Sequence, residues 1–210
     1  MTLRQVASAD MPTRLGAFRA LAFEGDGETA LALVQGQLTG SPPLVRLHSQ
    51  CVTGEVFGSL RCDCAEQLTL AMRLINVECR GLVVYDYCEG RGIGLTAKLR
   101  AYELQDAGLD TVSANHALGF EADLRNFSLS AAIVHALGVR RVRLLSNNPC
   151  KARALADAGI EVAARIPCEP LPTAESLPYL RAKKEKLGHL FTPRTTSLLR
   201  GPDMLRHDGE

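Results

Sequence analysis

An α/β domain with one mixed sheet flanked by helices is the fold this sequence predicts, and three observations predict it. Residues 16–38 hold two runs of alternating apolar side chains around an Asp-Gly turn, the pattern of an antiparallel hairpin. Further along, a strand-like run gives way twice to a polar or glycine-rich turn and then to helical periodicity, as in parallel βα units. The 210 residues are 46% apolar and 22% charged, which supplies one ordinary core and no sign of a linker or internal repeat.

Taken in order, residues 1–12 read as a polar lead. Strands follow at 16–24 (GAFRALAFE) and 29–38 (TALALVQGQL), joined by GDGE. A Gly-Ser-Pro-Pro break leads to a strand at 44–49. Residues 66–77 have apolar positions at helical spacing, and 81–87 (GLVVYDY) is an apolar run of strand length. EGRGIG and a helix at 95–107 come next, stopped by Gly108. Residues 110–127 are too polar and irregular for one element, and a connection of that length is more often functional than idle. Then come a helix at 128–137 capped by Ser128, a strand at 140–145, and a helix at 151–158 with Pro149 in its first turn and Asn147 or Asn148 as cap. A strand at 160–166 and a helix at 179–187 close the domain, which runs to residue 191. Residues 192–210 read as a disordered tail.

Composition excludes several classes of function. The net charge of +1 provides no bulk field for nucleic acid or membrane, and the absence of Trp with only 5% aromatics argues against base-stacking platforms. No apolar run approaches the length of a membrane span. The N-terminal residues show no secretory apolar region, so a cytoplasmic location is expected. The seven cysteines are odd in number and not spaced as a disulfide framework.

The chemistry concentrates in residues 46–67, RLHSQCVTGEVFGSLRCDCAEQ, with Cys51, Cys62 and Cys64. In extended chain Cys62 and Cys64 point to the same side, and a fold-back through Gly54 and Gly58 brings Cys51 to them. Three thiolates suit Zn²⁺, and three protein ligands with an open fourth position mark catalytic zinc. Buried free thiols are the competing reading of the same residues. The turn at Glu89, Gly90 and Arg91 reads either as a plain tight βα turn or as a phosphate cradle. Lys151 opens the second such turn. Cys79, Cys88, Cys150 and Cys168 read as structural or incidental thiols. His48 reads as a hydrogen-bonding partner near the metal, and His116, His135 and His189 as structural.

Five ordered blocks, RLHSQCVTGEVFGSLRCDC, EGRGIGL followed by KLRAYELQDAGLDT, ANHALGFEADLRNF, RLLSNNPCK and YLRAKKEKLGHL, resemble the GTP cyclohydrolase II family of riboflavin biosynthesis over residues 10–191. The resemblance implies one Zn²⁺ per subunit on Cys51, Cys62 and Cys64, Mg²⁺ with the GTP triphosphate, and a homodimer without nucleic-acid or membrane partners. It implies hydrolysis of GTP to 2,5-diamino-6-ribosylamino-4(3H)-pyrimidinone 5′-phosphate with release of formate and pyrophosphate. GTP contacts would fall on Arg46, Leu47, His48, Ser49, Gln50, Gln67, Glu89, Gly90, Arg91, Thr111, Ser146 and Lys151. Asp123 would match the proton acceptor, Arg125 the nucleophile toward the α-phosphate, and Tyr102 an aromatic near the reacting ring. As a nucleophile Arg125 would surrender a proton held with a pKa above about 12 to a carboxylate starting near 4, so stabilisation of the departing pyrophosphate stands beside that role. Where the family has Glu, Thr and Arg-Gln, this chain has Gln50, Ser146 and Tyr87-Cys88. Two other readings remain, a paralog with an altered product and a non-catalytic GTP-binding regulator.

Overall fold

The structure, a computed structural model, describes residues 2–200. Its centre is a seven-stranded sheet in the order β1-β2-β3-β5-β4-β6-β7. Strands β1 (Leu3–Thr13), β2 (Gly16–Gly25) and β3 (Glu28–Gln35) form an antiparallel meander, and β3 pairs antiparallel with β5 (Gly81–Asp86). Strands β5, β4 (Leu44–Ser49), β6 (Arg141–Leu145) and β7 (Glu161–Ile166) run parallel. The mixed sheet expected from sequence is therefore present, with the Asp-Gly hairpin as its β2–β3 turn.

Alternation along the central strands gives the sheet two buried faces. Val45, Leu47, Leu82, Val84 and Leu144 face α5 (Ser128–Ala136) and α6 (Pro149–Asp157), meeting Ile133, Val134 and Leu155. Leu44, Val83 and Leu145 face α2 (Cys64–Glu78), meeting Ala71, Met72 and Ile75. At the start of β5, Gly81 has φ +148°, and a Cβ there would stand 2.5 Å from the Leu44 carbonyl oxygen, so only glycine lets the strands approach.

The connections place the site. Helix α2 carries the chain from β4 to β5 on one side, while α6 carries it from β6 to β7 on the other. The adjacent strands β4 and β6 thus feed loops to opposite faces, which opens a crevice at their carboxyl ends.

Four expectations are corrected. Residues 3–13 are not a polar lead but strand β1, whose side chains are mostly exposed on both faces, so no apolar alternation marks it. Within 110–127 lies a helix, α4 (Thr111–Ala117), capped by Asp110, whose carboxylate accepts from the Val112 and Ser113 amides. Phe127 rather than Ser128 precedes α5 as its cap residue, with no side-chain cap bond. The expected disordered tail begins instead with a helix, α8 (Pro193–Arg200), beyond α7 (Leu177–Lys186), and residues 201–210 lie outside the described residues.

Candidate active site

Cys51 follows β4 and precedes a single helical turn, α1 (Val52–Glu55). Cys62 ends the following loop, and Cys64 is the first residue of α2. The convergence of Cys62 and Cys64 thus comes from a turn running into a helix, not from strand alternation. The three sulfurs lie within 4.8 Å of one another, and Cys51 Sγ is 3.6 Å from Cys62 Sγ. Tetrahedral metal–sulfur bonds of about 2.3 Å require sulfurs about 3.8 Å apart, so these three fit one ion. Among the described residues the group has three members.

Its surroundings are built for the sulfurs. A Cβ on Gly54 would stand 3.1 Å from Cys62 Sγ and 3.5 Å from Cys51 Sγ, so a glycine lets α1 close on the cluster. Hydrogen bonds from Cys62 and Cys64 draw the Cys51 thiol well below its usual range, while the Cys62 thiol is pushed up to about 11 by the same bond. Lys98, on α3 (Gly94–Asp106), reaches Cys51 Sγ at 3.2 Å and Glu89 Oε1 at 2.8 Å. Burial works against the Lys98 charge, but Glu89 and Cys51, with Tyr102, together outweigh it and raise its pKa. Glu89 Oε2 also accepts from the Val52 amide at 2.7 Å, which ties the 3₁₀ turn Glu89–Gly92 to α1.

Behind Cys51 lies a buried polar group. Arg46 Nε approaches His48 Nδ1 at 3.4 Å, leaving Nε2 to donate to Glu55 Oε1 at 2.8 Å. Glu55 also accepts from the Cys51 amide at 3.0 Å and from the Tyr85 hydroxyl at 2.5 Å. Burial raises the Glu55 pKa to about 7 against those donors.

From the sulfurs an open cleft extends past Gln50, Glu89, Gly90, Arg91, Tyr102 and Thr111. It adjoins a second compartment at the β4/β6 crevice, lined by Arg46, His48, Gln67, Ser146, Lys151 and Lys183. Ser49, Cys64, Arg125 and Tyr179 border both. The second compartment is cationic. Arg46 donates to Gln67 Oε1 at 2.6 Å and to the Leu145 carbonyl at 3.1 Å. Lys151 donates to the Leu47 carbonyl at 2.8 Å. Burial first, then Arg46 and Arg125, hold the Lys151 pKa well below its ordinary value. His189 is held down to about 3, by burial first and then by Lys183.

Between the compartments, Arg125 is gripped by Asp123 through Nε–Oδ1 at 2.8 Å and Nη2–Oδ2 at 2.5 Å. Burial alone would lower the Arg125 pKa and raise that of Asp123. The paired hydrogen bonds and the attraction between the opposite charges together reverse both, so each stays charged. Arg91 holds a left-handed φ of +60° and stacks on the Tyr179 ring at 5.1 Å. Its two terminal nitrogens are buried and find no hydrogen-bond partner among the described residues. Such an arginine, costly to leave unsatisfied, marks a place for an anion.

Most sequence-derived candidates thus meet around one cleft. Two stand apart: the Leu47 side chain is in the core, and Asp123 stands behind Arg125. Cys88 borders the cleft and His189 the cationic compartment, where neither was expected, and His116 is exposed. Lys98, Glu55, Tyr179 and Lys183 were not singled out from sequence. All four lie inside the blocks quoted above, but nothing in those blocks marks their individual roles, which only tertiary packing reveals.

Residues 4–167 match the family model described as GTP cyclohydrolase II. The chain is 48% identical over 192 residues to a GTP cyclohydrolase-2 of Neisseria meningitidis, covering 90% of this chain and 98% of that protein. It is 46% identical over 193 residues to the GTP cyclohydrolase-2 of Buchnera aphidicola, covering 90% and 100%. It is also 48% identical over 193 residues to the riboflavin biosynthesis protein RibBA of Chlorobium phaeovibrioides, covering 90% of this chain and 47% of that protein's length. Among solved structures, RibBX of A. baumannii, a two-domain 3,4-dihydroxy-2-butanone 4-phosphate synthase, aligns over 79% of this chain and 39% of its own. That alignment has a TM-score of 0.45 and 18% identity, too distant to compare the folds.

Proposed function

The chain belongs to the GTP cyclohydrolase II family, and from that premise we propose that it opens the imidazole ring of GTP. The products are formate, pyrophosphate and 2,5-diamino-6-ribosylamino-4(3H)-pyrimidinone 5′-phosphate, on the route to riboflavin. The observation that carries the reading is a pair of adjoining compartments, one with a three-sulfur cation site and the other with buried cations, which share Ser49, Cys64, Arg125 and Tyr179 as walls. A purine nucleotide triphosphate has chemistry for both ends.

Three thiolates select a soft, four-coordinate ion, so the metal is zinc, one per chain. When bound, it supplies Lewis acidity and lowers the pKa of water to give hydroxide near neutral pH. The remaining work falls to side chains. Burial raises the Tyr102 pKa, which keeps its hydroxyl a proton donor at neutral pH. Lys98 and Glu89 hold α1 and Cys51 in place. Arg46, Arg91 and Lys151 bind the triphosphate, carried with Mg²⁺. Arg125, kept cationic by Asp123, stabilises the charge that develops on departing pyrophosphate. A nucleophilic role would require Asp123 to deprotonate a guanidinium whose hold on its proton is raised by that same carboxylate. No described helix is long and apolar enough to cross a membrane, and the enzyme acts in the cytoplasm as a homodimer.

The test is direct. Zinc-loaded protein incubated with GTP and Mg²⁺ should release formate and pyrophosphate in equal amounts, with the ultraviolet spectrum moving from purine to pyrimidinone. GTP recovered intact across neutral pH would overturn the activity. A product retaining the formyl carbon would instead favour the altered-product paralog.

A further inference from the structure

Helix α7 lies beyond the residues matched by the family model, yet it sends two side chains into the cleft. Tyr179 borders both compartments and Lys183 the cationic one. Lys183 is 7% exposed, and its Nζ donates to Asp63 Oδ1 at 2.6 Å. Asp63 sits between Cys62 and Cys64, and its Oδ2 accepts from Gln67 Nε2 at 2.5 Å. Gln67 in turn accepts from Arg46, so one line of polar contacts joins α7, the metal loop and β4.

Two features argue against a merely structural ion pair. An ammonium has three donors, and Asp63 uses one. The same compartment also holds Arg46, Arg125 and Lys151. With Asp63 and Asp123 the only carboxylates bonded to this set among the described residues, its basic groups outnumber its anions, which favours an added anion. The Tyr179 ring supports the arrangement from the other side. Lys183 Nζ lies 4.4 Å from its centroid and the partnerless Arg91 guanidinium 5.1 Å, so one aromatic ring orients two cations.

Resting on the reading of the cleft as a triphosphate site, we propose that Lys183 is a further binding residue for the phosphate chain. Asp63 fixes its position, and Tyr179 is the positioning residue that aims Lys183 and Arg91 at the same chain. The phosphate end is therefore completed from helix α7 rather than from the strand-and-turn motifs alone.

The experiment uses the zinc-loaded full chain in excess Mg²⁺ and two unreactive probes, inorganic tripolyphosphate and guanosine. Lys183→Met should weaken tripolyphosphate about 10- to 100-fold, as loss of a charge-assisted hydrogen bond does, and leave guanosine within about twofold. Lys183→Arg should restore most of the loss. Tyr179→Leu should weaken tripolyphosphate about 3- to 10-fold, while Tyr179→Phe, which keeps the ring face, should match the unmodified protein. Because Lys183→Met strands a buried carboxylate, the Asp63→Asn/Lys183→Met pair is measured beside it and should show the same selective loss. Tripolyphosphate affinity within twofold of the parent in the folded double variant overturns the proposal. If the parent binds guanosine but no tripolyphosphate, the reading of the cationic end fails first and takes the proposal with it.

Discussion

The two ends of the cleft are opposites in charge and in how the chain makes them. At one end three sulfurs and Glu89 face a single ammonium, that of Lys98. At the other, Arg46, Lys151 and Lys183 converge, with Asp63 bonded to Lys183, Asp123 to the neighbouring Arg125, and Asp86 near Lys151 without an ion-pair contact. The first end is local: its ligands come from fourteen successive positions, 51–64, folded back on themselves. The second is assembled from β4 and, about ninety residues or more further along the chain, from the end of β6, α6 and α7. A cation site can be encoded in one stretch because one ion needs few ligands. An extended anion needs donors from several directions, and only the fold supplies those.

Removing one sulfur should break the contrast most severely. Cys62→Ser leaves two thiolates, and the site should lose its metal, with formate release falling at least about a thousandfold. Tripolyphosphate should still bind, because no cation of the far end touches Cys62. Metal per chain and tripolyphosphate affinity, measured on one sample, check this; joint loss of both would mean that the two ends are a single cooperative unit.

A smaller effect should appear at the cationic end as a proton. The Lys151 pKa lies below its ordinary value because burial and then Arg46 disfavour the charge. An anion brought beside it favours the charge again, so binding takes up a proton, and affinity strengthens as pH falls toward the depressed pKa. Titration calorimetry of tripolyphosphate in buffers of different ionisation enthalpy should show net uptake. Lys151→Met should abolish that uptake and weaken binding about 10- to 100-fold. No uptake in the parent would mean that Lys151 is already charged before the anion arrives.

The same contrast explains what could be read from the sequence. Strands β2 and β3 and most helices are legible because each hides one face, so their apolar spacing has period 2 or 3.6, while β4 and β5, buried on both faces, show as short apolar runs. Strand β1 hides neither face and looked like a polar lead. Helix α4 is short and rests on a single capping carboxylate, Asp110. The sulfurs were legible as a spacing, although the geometry behind it is a turn running into α2 rather than an extended strand. Gly54 was readable as a turn residue, not as the surface against which two sulfurs pack. Lys98 and Lys183 resemble any helical lysine until the fold turns them inward.

The smallest effect should come from the turn that aims Lys151. Asn148 caps α6, its side-chain oxygen accepting from the Cys150 amide at 2.9 Å, and Pro149 occupies the first helical position. Asn148→Ala should cost about 1 kcal/mol of stability in denaturant unfolding and blunt anion binding by less than about tenfold, since Lys151 stays on the same helix. Asn148→Asp separates the two roles of this position. A carboxylate caps as well as the amide does, so stability should be kept. It also adds a negative charge three residues before Lys151, at the mouth of a compartment built for anions. Tripolyphosphate should therefore weaken more in the aspartate variant than in the alanine variant, with the order of stabilities reversed. If the two variants rank alike in both measurements, Asn148 acts through helix geometry alone, and the field of the cationic end does not reach the cap.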